Sequence, residues 1–179
     1  MVGYLPEIER EVFEKITNQC LQHVVVAASL SPELVANEIE EGAPSLEKRV
    51  LALQKLQRAG WRIGLRFDPI IWHQDFEQAY QSMIELVFAN LDATRIDSVT
   101  LGGFRLPKGF HKIMRKLYPE HWVFQAGLGE QDGMVGYLPE IEREVFEKIT
   151  NQCLQHLDQK QLYSYPMSDT IIEKTGAQQ

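Results

Sequence analysis

VVVAASL, Val24–Leu30, is the stretch whose reading decides the fold. It is a continuous apolar run, short and β-branched at its start, as expected of a strand buried on both faces of a parallel sheet. Ser31-Pro32 ends it and opens a helix to about Glu41, with Ser31 the expected N-cap. Gly42-Ala43-Pro44 is a break. Ser45 caps a second helix, in which Leu46, Val50, Leu53 and Leu56 form an apolar stripe and Gly60 stops the run.

The pattern then repeats. Trp61–Phe67 (WRIGLRF) reads as a second strand, ended at a loop by Asp68-Pro69. Phe76–Leu91 reads as a helix with Ala79, Met83, Leu86 and Val87 inward. Ser98–Leu101 is a third short strand closing in Gly102-Gly103, and Pro107 starts a helix to about Leu117. Trp122–Ala126 reads as a strand, Gly127–Gly136 as a glycine-rich loop, Pro139–Leu154 as a helix and Gln161–Tyr165 as a final strand. Strands alternating with helices mean βαβ units, a parallel sheet and right-handed crossovers. Three clear strands are too few for a closed eight-stranded barrel. The expected class is therefore α/β, a partial TIM-like barrel of parallel strands with flanking helices.

One segment occurs twice without a difference: MVGYLPEIEREVFEKITNQCLQH stands at Met1–His23 and again at Met134–His156. Independent copies drift apart, so identity at every position marks a recent duplication or an artificial join. Solenoid repeats have imperfect copies and at least three units. In each copy the apolar positions (Ile8, Val12, Phe13, Ile16 and Cys20 in the first) fall on one helical face, with proline in the first turn. The expected organisation is a duplicated helical segment at 1–23, a barrel-like unit at 24–165 and a polar tail at 166–179.

Composition bounds the function. The chain has 179 residues, 44% apolar and 24% charged, which suits a single globular domain. No apolar run approaches the roughly 18 residues of a membrane span, and the acidic start is not a signal peptide, so a cytoplasmic protein without membrane contact is expected. The net charge of −7 excludes a general nucleic-acid binder. The two cysteines, Cys20 and Cys153, are one residue counted twice, which argues against a disulfide framework.

Chemistry in a parallel α/β fold gathers at the carboxyl ends of strands. Three such ends carry polar or flexible groups: Ser29-Leu30-Ser31, Phe67-Asp68-Pro69-Ile70 and Thr100-Leu101-Gly102-Gly103-Phe104-Arg105. Singly, each has a bland reading as a cap or a turn. Gly102-Gly103 lacks the GxGxxG spacing of a dinucleotide loop, though a phosphate-binding turn stays open. His73 and Asp75 lack a third ligand for a metal. Between Asp97 and Glu120 there is no acidic residue, while Arg105, Lys108, Lys112, Arg115 and Lys116 stand among Phe104, Phe110 and Tyr118. Lys108, Lys112 and Arg115 share a helix face, a local basic surface suited to phosphate contacts or simply a solvated face.

At these residues the sequence resembles the spore photoproduct lyase family. The resemblance is carried by VVVAASLSPELVANEIEEGAPSLEKRVLALQKLQRAGWRIGLRFDPII, then VTLGGFRLPKG, then QDGMVGY. It covers about Val24 to Leu154 and implies the carboxyl-terminal half of a radical S-adenosylmethionine enzyme on a partial barrel. Such enzymes repair a thymine–thymine lesion in DNA with a [4Fe–4S] cluster. The resemblance implies that Ser29 helps hold the methionine part of S-adenosylmethionine and that Phe67, Asp68 and Pro69 line its adenosine side. It implies that Arg105 contacts the lesion, that Tyr137 lies near the substrate, and that Lys108, Lys112 and Arg115 meet the DNA backbone. The residue before Tyr137, often arginine in the family, is Gly136 here. The family's CxxxCxxC motif lies in its amino-terminal half and does not occur in this sequence. The expectation is therefore no catalytic residue, no metal ligand, no cluster bound by this chain and no activity alone. The alternative is a non-catalytic binding or scaffold module. An unpaired sheet edge invites self-association, with Val24–Leu30 or its partner strand at the contact.

Overall fold

The computed structural model describes residues 23–167. The expectations for the first copy of the repeat up to residue 22, Cys20 included, and for all but the start of the 166–179 tail lie outside the described residues. Four strands form one parallel sheet in the order β1 (Val25–Ser29), β2 (Arg62–Ile70), β3 (Ile96–Gly103) and β7 (Leu162–Tyr165). The crossovers carry α1 (Glu33–Ile39) and α2 (Leu46–Arg58), then α3 (Phe76–Asn90), then α4 (Lys108–Leu117) and α5 (Pro139–Cys153). Strands added in one direction by right-handed crossovers put the crossover helices on one face of the sheet.

That face is the core. Ile63, Leu65, Phe67, Val99, Leu101 and Leu162 of the sheet pack on Val50 and Leu53 of α2, Tyr80, Met83 and Val87 of α3, and Val145, Phe146 and Ile149 of α5. Burying each such side chain contributes roughly 1.5–3 kcal/mol. Helix α2 begins where Ser45 Oγ accepts from Lys48 N at 3.4 Å, and it ends at Gly60, whose φ of 92° a side chain would resist.

The structure corrects several expectations. Val24–Leu30 is not buried on both faces. β1 is an edge strand, and Ala27 and Ser29 on its second face are exposed. Ser31 is not a cap, because Pro32 takes the N-cap position and the Ser31 hydroxyl donates instead to Glu40 Oε1 at 2.6 Å. β2 does not stop at Phe67. It runs through the cis Asp68–Pro69 bond to Ile70, which pairs with Gly103 across a register shift, where a residue without N–H is tolerated. On α3, Phe76, Tyr80 and Ile84 are buried with Met83 and Val87, while Ala79 and Leu86 sit at the margin. Trp122–Phe124 is a 3-10 turn and no strand.

The largest correction concerns Gly127–Gly136. It is a hairpin, β5 (Leu128–Gln131) and β6 (Met134–Tyr137), joined by Asp132 at φ 52° and Gly133 at φ 77°. β4 (Arg105–Pro107) pairs antiparallel with β6 to complete a second, three-stranded sheet. Its core is Val35, Ile71, Phe104, Val123, Ala126 and Tyr137. Among the described residues no helix is long and apolar enough to cross a membrane.

Candidate functional site

Strand alternation decides what each site residue faces. On β2, Ile63, Leu65 and Phe67 point at the helices, so Gly64, Arg66 and Asp68 point the other way. The same parity and the register place Ala27 and Ser29 of β1, Ser98, Thr100 and Gly102 of β3, and Tyr163 and Tyr165 of β7 on that second face. The glycines confirm it. A Cβ on Gly64 would meet Val25, Ala27 and Ser98, and one on Gly102 would lie inside the Asp68 carboxylate. Ala27, Ser29, Arg66, Tyr163 and Tyr165 are exposed, which makes this an open, polar face.

Ser29 and Asp68 therefore share one face. With strands about 4.8 Å apart and two residues of offset, their Cα atoms lie about 8 Å from each other. Phe67 does not join them: its side chain is fully buried on the helix side. Pro69 faces a third space, a groove of about 700 Å³ lined also by Ile71, Phe104 and Val123. The rim at Ser29 is held from below. Arg49 Nη1 donates to the Ser29 carbonyl at 3.3 Å and to Glu40 Oε2 at 2.9 Å, and Glu40 also takes the Ser31 hydroxyl.

Arg105 leaves β3 just past Gly103 and is exposed on β4, opposite Gly136 of the hairpin. The hairpin turn is tied to α4 by Lys108 N donating to Gly133 O at 2.9 Å. Lys108, Lys112 and Arg115 are all exposed on α4, and Lys108 is paired with Glu130 at 2.8 Å. Gly136 has no room for a side chain. A Cβ there would be 2.6 Å from the Phe104 carbonyl and 2.7 Å from Met167 Sδ.

Tyr137 is a buried post. Its ring stacks on Phe104 at 5.2 Å, and its hydroxyl accepts from Trp72 N at 2.7 Å. Burial raises its pKa far above that of an ordinary phenol, against the hydrogen bond from Trp72. His73 is buried against Trp122, and burial lowers its pKa despite Asp75. No group of three His, Cys, Asp or Glu that could hold a metal occurs among the described residues.

Sequence reasoning missed Arg66, Tyr163 and Tyr165. The signal was present in the every-second-residue polarity of Gly64-Leu65-Arg66-Phe67-Asp68. It also missed Glu142, a buried carboxylate that accepts from Met167 N at 2.7 Å and lies against Gly103, for which no local pattern exists.

Known proteins share this fold. The sequence model of the family described as spore photoproduct lyase matches residues 12–161. The spore photoproduct lyase of Bacillus subtilis is 29% identical over 94 residues, 51% of this chain and 28% of that protein. That of a Geobacillus species is 27% identical over the same shares of each chain. A solved spore photoproduct lyase complexed with dinucleoside spore photoproduct superposes with a TM-score of 0.63 at 20% identity, covering 80% of this chain and 44% of that one. Another, with bound AdoMet and dinucleoside spore photoproduct, gives 0.62 at 19% identity, covering 78% and 43%. The chain thus spans less than half the length of the proteins it matches.

Proposed function

The chain belongs to the spore photoproduct lyase family, and we propose that it forms the lesion-facing side of a radical S-adenosylmethionine lyase that reverses a thymine–thymine lesion in DNA. The observation that carries the reading is the rim at the carboxyl ends of β1, β2 and β3, where Ser29 and Asp68 share the open face and Arg105 stands two residues past Gly103. On this reading residues 24–165 are one unit, the four-stranded sheet is an arc of a barrel, and its open face is the barrel interior. The protein works in the cytoplasm, where the DNA is.

The open face fits S-adenosylmethionine. Ala27, Gly64 and Ser98 are small and leave space, while the Ser29 hydroxyl and Asp68 carboxylate supply polar partners. Ser29 would take the methionine part. The adenosine side would meet Asp68, with the backbone of Phe67 and Pro69 rather than their side chains. When bound, the cofactor supplies one-electron chemistry at the lesion. The described residues do not fit a [4Fe–4S] cluster. Their one cysteine, Cys153, is a buried free thiol in the helix-side core, where burial pushes its pKa up to about 12, opposite to the thiolate a cluster needs. The cluster ligands belong to strands that would join at the β1 edge, on this polypeptide or another, and this unit alone is inactive.

Each residue on the rim then has a task. The Arg105 guanidinium holds the lesion by hydrogen bonds and charge. Lys112 and Arg115 meet the DNA backbone, with Lys108 contributing less because Glu130 already neutralises it. Tyr137 keeps the hairpin upright behind Arg105 and is a positioning residue.

The test is fluorescence anisotropy of a labelled duplex carrying one spore photoproduct against the undamaged duplex. The expected result is a lesion preference of about tenfold or more, lost in Arg105→Ala while backbone affinity remains. Equal binding of both duplexes, unchanged by Arg105→Ala, favours the second reading. That reading is a binding module, supported by the edge position of β1 and the exposed basic face of α4.

A further inference from the structure

Helix α4 carries an apolar side that the described residues leave uncovered. None of its ten residues is buried, and Phe110, Ile113 and Leu117 are 50%, 57% and 63% exposed. Tyr118, the residue after it, is 53% exposed. Phe110, Met114 and Tyr118 line one wall of the 700 Å³ groove, and the opposite wall is the end of α1 with Glu38, Ile39 and Glu41. Patches of this kind on a globular surface mark contacts.

The order of charges across the surface says with what. At about 100° per residue, Ile113 and Leu117 lie between the groove-lining Phe110 and Met114 and the basic pair Lys112 and Lys116. Crossing the surface therefore means passing an acidic edge, Glu38 and Glu41, then an apolar middle, then a basic edge. All four charged residues are exposed, and none makes an ion pair among the described residues. A surface with that order is complementary to itself. A two-fold axis through the apolar middle lays the basic edge of one copy on the acidic edge of the other, as an isologous contact requires.

We propose that this surface is the homodimer contact of the protein: Phe110, Ile113 and Leu117 of one copy cover the groove of a second. Glu38 and Glu41 face Lys112 and Lys116 across both ends. The contact is distinct from the β1 edge, and because it takes up Lys112 it competes with the DNA-backbone contact proposed for that residue.

Sedimentation velocity of the full chain over a range of concentration and salt tests it. The expected behaviour is a monomer–dimer equilibrium that weakens with salt. Leu117→Glu should weaken it by at least about tenfold, since a charge is placed at the centre of the contact. Leu117 is exposed, so circular dichroism should show that variant folded. Two charge-reversed variants sharpen the test. Glu38→Lys with Glu41→Lys makes both edges basic, and Lys112→Glu with Lys116→Glu makes both acidic. Each should be monomeric alone, and their mixture should form a heterodimer. A wild-type protein monomeric at all concentrations overturns the proposal. So does a dimer indifferent to these changes, which would place the contact elsewhere, or a mixture that stays monomeric.

Discussion

Replacing Tyr137 by phenylalanine removes one oxygen and separates two roles for this residue. The ring is 2% exposed and stacked on Phe104, so Tyr137→Phe keeps the packing of the small-sheet core. What is lost is the acceptor for Trp72 N, bonded at 2.7 Å. Leaving an amide N–H without a partner costs about 1–3 kcal/mol. In a domain of this size, about 2 kcal/mol lowers the Tm by about 4–8 °C. Urea unfolding followed by tryptophan fluorescence reads the loss as a lower midpoint at unchanged slope. Lesion binding, measured well below the transition, should change by less than about threefold. The contrary outcome is a stability within about 0.3 kcal/mol of wild type together with a collapse of lesion binding. That outcome would make the Tyr137 hydroxyl a substrate contact and not a post.

Further outcomes follow from the same geometry. Gly102→Ala drives a methyl into the Asp68 carboxylate, so a loss of about 1–3 kcal/mol in urea unfolding is expected, with weaker S-adenosylmethionine binding by calorimetry. The Cys153 thiol stays protonated to about pH 12 in the fold, whereas in the unfolded chain it ionises from its ordinary value of 9.0. Its stabilisation is complete below pH 9 and is lost as the pH rises toward 12. By pH 10.5 the stability gap between wild type and Cys153→Ala should shrink by about 2 kcal/mol, at about 1.4 kcal/mol per pH unit. Arg115→Ala should reduce the salt slope of DNA binding by about one, because each phosphate contact releases about one counterion. Lys108→Ala should change it less, since Lys108 is already paired with Glu130.

Much of this fold was legible where a single residue dictates the local backbone. Ser45 and Gly60 bound α2 for reasons visible in the chain, and Pro139 opens α5 in its first turn. The basic surface was legible too, because an acid-free run with helical spacing must present its charges somewhere. What escaped was decided by partners. The length of β2 depends on β3 accepting Ile70 opposite Gly103, beyond a proline that reads as a stop. Phe67 looked like a site residue because it stands at the carboxyl end of a strand, in a stretch the family resemblance assigns to the cofactor, yet the parity of the pleat turns it into the core and leaves Asp68 outside. The hairpin carried its signal in Asp132-Gly133, the pair that suits a two-residue turn, but with Gly127, Gly129 and Gly136 around it the stretch reads as a loop. β1 looked buried because valine and alanine fit a two-sided sheet, and only its edge position leaves one face open.

The duplicated segment gains a definite meaning in its second copy. There Val145, Phe146, Ile149 and Cys153 bury the apolar face of α5, and Glu142 holds the chain after β7 against Gly103. The segment is thus a packing helix that also steadies the rim on which Arg105 sits.

The account turns on where the lesion binds. A titration of the isotopically labelled full chain with dinucleoside spore photoproduct, followed by backbone amide chemical shifts, measures this most directly. Shifts gathered at Arg66, Asp68, Gly102 and Arg105, on the open face and the rim beside it, are the expected result. Shifts confined to the groove between α1 and α4, or none at saturating ligand, would contradict it.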